Sequence, residues 1–254
     1  RLRPHLWIHL FLHARYQKRY AGRSEARART LTPQALARLV ASLDAAVLQL
    51  EWQPHGTVWA DYYEGDSYTP RGAQHKRDLV ARHLDAIRPR RVFDLGANTG
   101  EMARLACERG AFSVAFDADP GCVERAWRDA RGGREPRLLP LLLDLANPSP
   151  AQGFAHRERE SWLARGPADL LLALALVHHL AIGNNVPLPR LAELFAALAP
   201  ELIVEYVPKG DAKLRQLLAS REDVFVDYSR EGFESAFSRH FEITAADCIE
   251  ESER

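Results

Sequence analysis

Three cysteines, none in a CxxC pair, are all that the chain contains (Cys107, Cys122 and Cys248). They cannot build a disulfide framework, and a reducing, cytoplasmic setting is expected. Long apolar runs are missing too. The longest, Leu170 to Val177, is strand-sized, far short of the ~20 residues that a membrane helix needs. There is no net charge, since 34 basic residues meet 34 acidic ones, so the molecule as a whole is not an obvious nucleic-acid binder. Repeats and low-complexity tracts are absent. Hydrophobic residues at 46% and charged residues at 27% are the ordinary mix of a globular protein, which sets aside disorder, collagen and coiled coil. The length, 254 residues, suits one or two domains.

The charge that is present is uneven. Residues 1–30 hold eight basic residues against the single acid Glu25. This basic start lacks an apolar core and a cleavage site, so no secretory signal is expected. The first residue is Arg rather than Met, and a preceding N-terminal piece is expected. His5 to His13 alternates, with Leu6, Ile8, Leu10 and Leu12 against His5, Trp7, His9, Phe11 and His13, which predicts a strand. His5, His9 and His13 share a face, but no fourth ligand or supporting shell accompanies them, and no metal is expected. Arg15–Arg29 reads as an exposed loop. Thr32-Pro33 then caps a helix whose Leu36, Leu39, Val40, Leu43, Val47 and Leu50 predict one buried face.

Thr69-Pro70 opens a second helix that runs to about Ile87. Strands and helices then alternate. Strands are expected at Val92–Leu95, Phe112–Phe116, Arg137–Leu143, Leu170–Leu174 and Leu202–Val207. Helices are expected at Glu101–Arg109, Pro120–Ala130, Leu188–Leu198 and Asp211–Ala219. Strands that are apolar throughout and separated by helices predict a parallel sheet covered on both faces. Phe241–Ile249 suggests a last, antiparallel edge strand.

The stretch Val92-Phe-Asp-Leu-Gly-Ala-Asn-Thr-Gly100 carries the chemistry. Gly96 and Gly100 let the backbone approach a ligand, and the following helix start offers free N–H groups. The third-glycine spacing of a dinucleotide site fails here, and Asp94 suits a cationic ligand better than a pyrophosphate. This D-x-G-x-N-x-G loop resembles motif I of class I S-adenosylmethionine-dependent methyltransferases. By that resemblance Asp117, at the end of the second strand, accepts the ribose hydroxyls. Asp144 accepts from the adenine amino group, and Leu145 lies against the ring. The fourth strand, Asp169 to Leu180, passes the sulfonium. Asp119 reads instead as the cap of the helix that Pro120 begins. The blocks 147–153, 174–180 and 202–209 resemble bacterial methyltransferase-like proteins related to NoeA-type nodulation proteins. The implied fold is a doubly wound, mostly parallel sheet of the seven-stranded type, Rossmann-like, with an N-terminal helical extension. Residues 1–88 are expected to form that extension and 89–254 the S-adenosylmethionine-binding domain.

His178 and His179 follow the fourth strand, where the methyl acceptor approaches, and a histidine there suits a base. One of the two packing under the sheet is the plainer alternative. Glu205 ends the fifth strand at the ligand crevice, as a base or orienting group, or as an ion-pair partner of Lys209 or Arg221. Tyr68 and Lys76, with Tyr62 and Tyr63 nearby, are candidates to close over the methionine end of the cofactor. The long connection 144–168 is expected to flank the acceptor pocket. The reading is methyl transfer from S-adenosylmethionine by in-line displacement to a small-molecule or sugar-containing acceptor, with no membrane or nucleic-acid partner. An RNA or protein methyltransferase docking through the basic N-terminus is one alternative. A non-catalytic S-adenosylmethionine-binding module is the other.

Overall fold

The computed structural model describes residues 7–21, 32–50, 52, 68–219, 222–252 and 254. The chain divides into two compact units between residues 53 and 54.

In the first unit a π-helical stretch, Trp7–Leu12, runs into helix α1, His13–Tyr20. The strand expected at 5–13 is therefore helical where it is described, and so is the start of the expected loop from Arg15. Trp7 and Phe11 interrupt the three histidines on the expected polar side, so the polar alternation is weak. Ala14, Arg15, Gln17, Lys18 and Arg19 are good helix formers. The rings of Trp7 and Phe11, and of Tyr16 and Tyr20, meet one turn apart, at centroid distances of 6.2 and 6.0 Å. The series His5, His9 and His13 lies partly outside the described residues.

Helix α2, Pro33–Leu48, begins where Thr32-Pro33 predicts, and Thr32 Oγ1 accepts from the Ala35 N–H at 3.2 Å. The expected buried face is not buried: Leu36, Leu39, Val40, Leu43 and Val47 are exposed. Capping and local propensity suffice to form this helix. The described part of the unit has too few other residues to cover its apolar side.

The second unit is built on five parallel strands: β1 (Arg91–Leu95), β2 (Phe112–Asp117), β3 (Leu138–Leu142), β4 (Leu170–Ala173) and β5 (Glu201–Val204). Their order is β3-β2-β1-β4-β5. The helices are α3 (Pro70–Ile87), α4 (Glu101–Glu108), α5 (Pro120–Gly133), α6 (Leu188–Leu198), α7 (Ala212–Leu218) and α8 (Arg230–Phe237). Successive strand residues point to opposite faces. Val92, Leu170 and Leu172 pack with Val80 and Leu84 of α3 and with Leu105 and Ala106 of α4. Phe93, Leu95, Leu171 and Ala173 pack with Leu191 and Phe195 of α6 and with Phe233 and Phe237 of α8. Helix α3 thus belongs by its packing with the sheet. The result is the doubly wound, Rossmann-like sheet that the alternating pattern predicts.

The expected edge strand at Phe241–Ile249 does not form. The tail is drawn onto α3 instead, through Arg82–Asp247 at 2.8 Å and Arg71–Glu250 at 2.7 Å. Helix α8 was not anticipated, because Gly232 in its first turn lowers propensity. The Gly232 N–H is nevertheless the one that the Ser229 hydroxyl caps, at 3.1 Å.

Leu172 is fully buried between β1 and β5, whereas Leu142 at the sheet edge is exposed. Leu172→Ala is expected to cost about 2–5 kcal/mol and Leu142→Ala about 0.5 kcal/mol or less. Urea unfolding with unchanged slope measures both.

Candidate functional site

Strand β1 has β2 on one side and β4 on the other, so chain connections leave it in opposite directions. Ligands bind at such a switch point, beyond the carboxyl ends of the strands. A cavity of about 320 Å³ opens there. It is lined by the ends of β1, β2, β3 and β4, and by Tyr68 and Lys76 from the start of α3.

The loop after β1 is shaped by backbone that favours glycine. Gly96 has φ +69° and Gly100, which caps α4, has φ +83°. A Cβ at Gly96 would stand 2.9 Å from the Leu176 side chain, so this loop and the loop after β4 touch. The Ala97 N–H donates to the Phe116 carbonyl at 2.9 Å, and the Gly100 N–H donates to that of Ala97 at 2.8 Å. Asp117 ties the loop from the other side. Its Oδ2 accepts from the Asn98 N–H at 2.7 Å and its Oδ1 from the Asp119 N–H at 2.8 Å. Burial raises its pKa against these hydrogen bonds. Asp119 faces away and caps α5, accepting from the Gly121 N–H at 2.7 Å. Asp144 Oδ1 accepts from the Ala146 N–H at 2.8 Å, and Leu145 packs against the core beside it.

Asp94 is the most perturbed carboxyl of the cavity. Burial pushes its pKa up to about 7, although the Ala103 N–H and the Lys76 ammonium oppose the shift. Its Oδ2 is buried and has no hydrogen-bond partner among the described residues. Asp94 itself lines the cavity, and an unpartnered carboxylate there is a place for a ligand donor or cation.

Eight of the nine residues expected to hold the cofactor line this cavity: Asp94, Gly96, Asn98, Asp117, Asp144, Leu145, Tyr68 and Lys76. Gly100 lies one turn away, at the cap of α4. His179 also lines it and His178 does not. His178 is buried, with its ring 4.0 Å from that of His179 and its Nδ1 without a partner among the described residues. Burial, then His179 and Arg254, push the His178 pKa down to about 3. Burial and Arg254 lower that of His179 as well. Both rings are neutral at neutral pH, unlike the near-neutral titration expected of a free histidine.

Glu205 stands behind the cavity wall. Lys209, offered as its partner, pairs with Asp223 at 2.8 Å instead, and Arg221 lies outside the described residues. Glu205 meets Lys76 Nζ at 2.8 Å and Arg254 Nη1 at 3.4 Å, and it accepts from the Tyr68 hydroxyl at 2.5 Å. Burial alone would raise its pKa; Lys76, Tyr68 and Arg254 overcome that and lower it. Tyr62 and Tyr63 lie outside the described residues. Of the long connection 144–168, Asp144 and Leu145 reach the cavity. Farther along, Trp162 packs edge-on to Phe116 at 5.8 Å. Arg254 and Asp211 were missed, since nothing local marks a partner so far along the chain. No helix among the described residues is long and apolar enough to cross a membrane. No group of His, Cys, Asp or Glu among them is arranged to hold a metal ion.

No family model matches the chain. Nodulation protein NoeA of Rhizobium meliloti (strain 1021) is 38% identical over 232 residues, 91% of this chain and 48% of that protein. The chain is thus a relative of NoeA. It is also 33% identical over 144 residues to the ribosomal protein L11 methyltransferase of Thermus thermophilus, 56% of this chain and 43% of that protein. It spans about half the length of the curated relatives it matches. Among solved structures, magnesium protoporphyrin IX methyltransferase of Synechocystis PCC 6803 is 18% identical with a TM-score of 0.48, over 71% of this chain and 80% of that one.

Two outcomes are expected of the protein. The His178 ring does not titrate between pH 5 and 8 when followed by NMR. Glu205→Ala removes the carboxylate partner of Lys76 and one of the two carboxylates on Arg254, and costs about 3–5 kcal/mol in denaturant unfolding. The stability that Glu205 lends is present in full above the ordinary glutamate value and is lost as acid protonates it.

Proposed function

We propose that the chain binds S-adenosylmethionine in the strand-end cavity and transfers its methyl group to a small-molecule or sugar-containing acceptor. The observation that carries this reading is the unpartnered, buried Oδ2 of Asp94, in a cavity that also holds Asp117 and Asp144 at successive strand ends. The donor set fits the cofactor. Asp94 offers a carboxylate to a cationic group. Asp117 has both oxygens fixed by backbone N–H groups and keeps lone pairs for a diol. Asp144 and Leu145 offer an acceptor beside an apolar wall. Gly96, Asn98 and Gly100 bring backbone close. Lys76 offers a cation to a carboxylate, with Tyr68 beside it.

When bound, the cofactor supplies an electrophilic methyl group on a sulfonium whose departure is neutral and easy. What remains for the protein is alignment and the exclusion of water. His179, on the loop after β4, faces the cavity where an acceptor enters, and His178 braces it from behind. A neutral imidazole accepts a hydrogen bond from an acceptor hydroxyl or amine and orients its lone pair. Glu205, paired to Lys76, orients rather than abstracts a proton. The free cysteines suit a reducing, cytoplasmic compartment. One relative is by its name a methyltransferase of a ribosomal protein. Radiolabel transfer into a cell extract, separated by size, decides between small and macromolecular acceptors.

Calorimetric titration tests the cofactor. Micromolar binding of S-adenosylmethionine or S-adenosylhomocysteine is expected, falling at least tenfold in Asp117→Ala; unchanged affinity in that variant removes the basis of the reading. A cationic ligand on Asp94 binds the ionised carboxyl. Affinity is therefore expected to fall as pH drops below about 7, approaching tenfold per pH unit. Asp94→Asn abolishes that slope.

A further inference from the structure

The tail that fails to form an edge strand has another use. After α8 it crosses back over the start of α3. Ile249 is buried, and the Glu250 N–H donates to His75 Nδ1 at 3.0 Å. Thr69 Oγ1 donates to the Glu251 carboxylate. A Cβ at Gly72 would stand 2.8 Å from the Glu250 carbonyl oxygen, so the tail lies directly on the helix. This course delivers Arg254 to a site in which its guanidinium is 2% exposed. Nε and Nη2 donate to Asp211 Oδ2 at 3.0 and 2.7 Å, and Nη1 donates to the Tyr68 hydroxyl at 2.6 Å.

Tyr68 is the hub. Its one proton goes to Glu205, and its oxygen accepts from Arg254 and from Lys76 Nζ at 3.1 Å. Its ring lies between the two cations, Lys76 Nζ at 4.6 Å and the Arg254 guanidinium at 4.7 Å from the centroid. Lys76 has three N–H donors. One meets Tyr68, one meets Glu205, and the residue lines the cavity with the third in hand.

We infer that Arg254 is a positioning residue for Lys76, and through it for a carboxylate at the amino-acid end of the ligand. The inference rests on the cavity being the S-adenosylmethionine site. Were Lys76 the only cation near Glu205, the carboxylate would hold it fully and neutralise it. Arg254 takes a share of Glu205 and fixes the Tyr68 hydroxyl, so the Lys76 ammonium keeps its place and its charge for an incoming anion. Asp211 balances Arg254, which prevents the two cations from simply repelling each other.

Two ligands separate this role from a merely structural one. S-adenosylhomocysteine carries the amino-acid carboxylate, and 5′-methylthioadenosine has the same adenosine and thioether without it. In the full chain, Arg254→Ala is expected to weaken S-adenosylhomocysteine about tenfold while 5′-methylthioadenosine stays within about twofold. Arg254→Lys is expected to restore part of the loss. Lys76→Ala is expected to lose the same preference. Equal weakening of both ligands by Arg254→Ala makes Arg254 a structural clamp and overturns the inference, as does no change in a folded variant. Should Arg254→Ala not fold, Asp211→Asn gives the same ratio test. If the unaltered chain binds neither ligand, the cofactor reading itself fails. If it binds S-adenosylhomocysteine but Lys76→Ala leaves the preference intact, the cofactor reading stands and this inference falls.

Discussion

The position of β1 in the middle of the sheet governs the rest of the site. With β2 and β4 on its two sides, both faces of β1 are taken up by core packing, and only its end is left for chemistry. Asp94 sits at that end, one residue before the strand finishes, and is buried because everything beside it is. The loop that follows must turn sharply to reach α4, which requires Gly96 and Gly100. The same turn leaves the Asn98 N–H pointing at Asp117 on β2. Parallel pairing then aligns the ends of all five strands on one side, so Asp117, Asp144 and the histidine turn arrive at the same cavity without further arrangement.

Burial treats the carboxyls of this edge differently, and the difference lies in what stands next to each. Asp94 and Asp117 lose water and gain mostly backbone N–H groups, so desolvation wins and their pKa values rise. Glu205 loses water as well, but Lys76, Tyr68 and Arg254 close on it and its pKa falls. The site thus holds one carboxyl ready to change charge with its ligand and another that keeps its charge. The two buried imidazoles complete the pattern. Packed at a tilt against each other near a guanidinium, both are more stable neutral than charged.

The elements that set the fold were legible where local chemistry announces them. The Thr-Pro pairs at 32–33 and 69–70 mark helix starts, and Asp119-Pro120 marks another. The apolar strand of 170–173, opening behind Asp169 in the chain's longest apolar run, can be little else. The five strand ends, and with them the cavity, follow from pattern and loop chemistry. Less was legible where the partner is distant in sequence. Nothing near Glu205 announces Lys76, 129 positions earlier in the numbering of the ion pair, or Arg254 near the end of the chain. Period also misled: between Trp7 and Leu12 only His9 is polar, so alternation carried little weight there. Phe241–Ile249 has the spacing of a strand, but its acids find arginines on α3 before its backbone finds β5.

The contact between Gly96 and Leu176 has a consequence for how such a cavity can diversify. A methyl group at position 96 would drive into the Leu176 side chain, so the first turn after β1 and the first turn after β4 form one joint. Changes of shape are therefore confined to the stretch beyond the joint, 177–184, and to the start of α3 opposite it. Redesign of the cavity would begin at that rim, with the joint treated as fixed masonry.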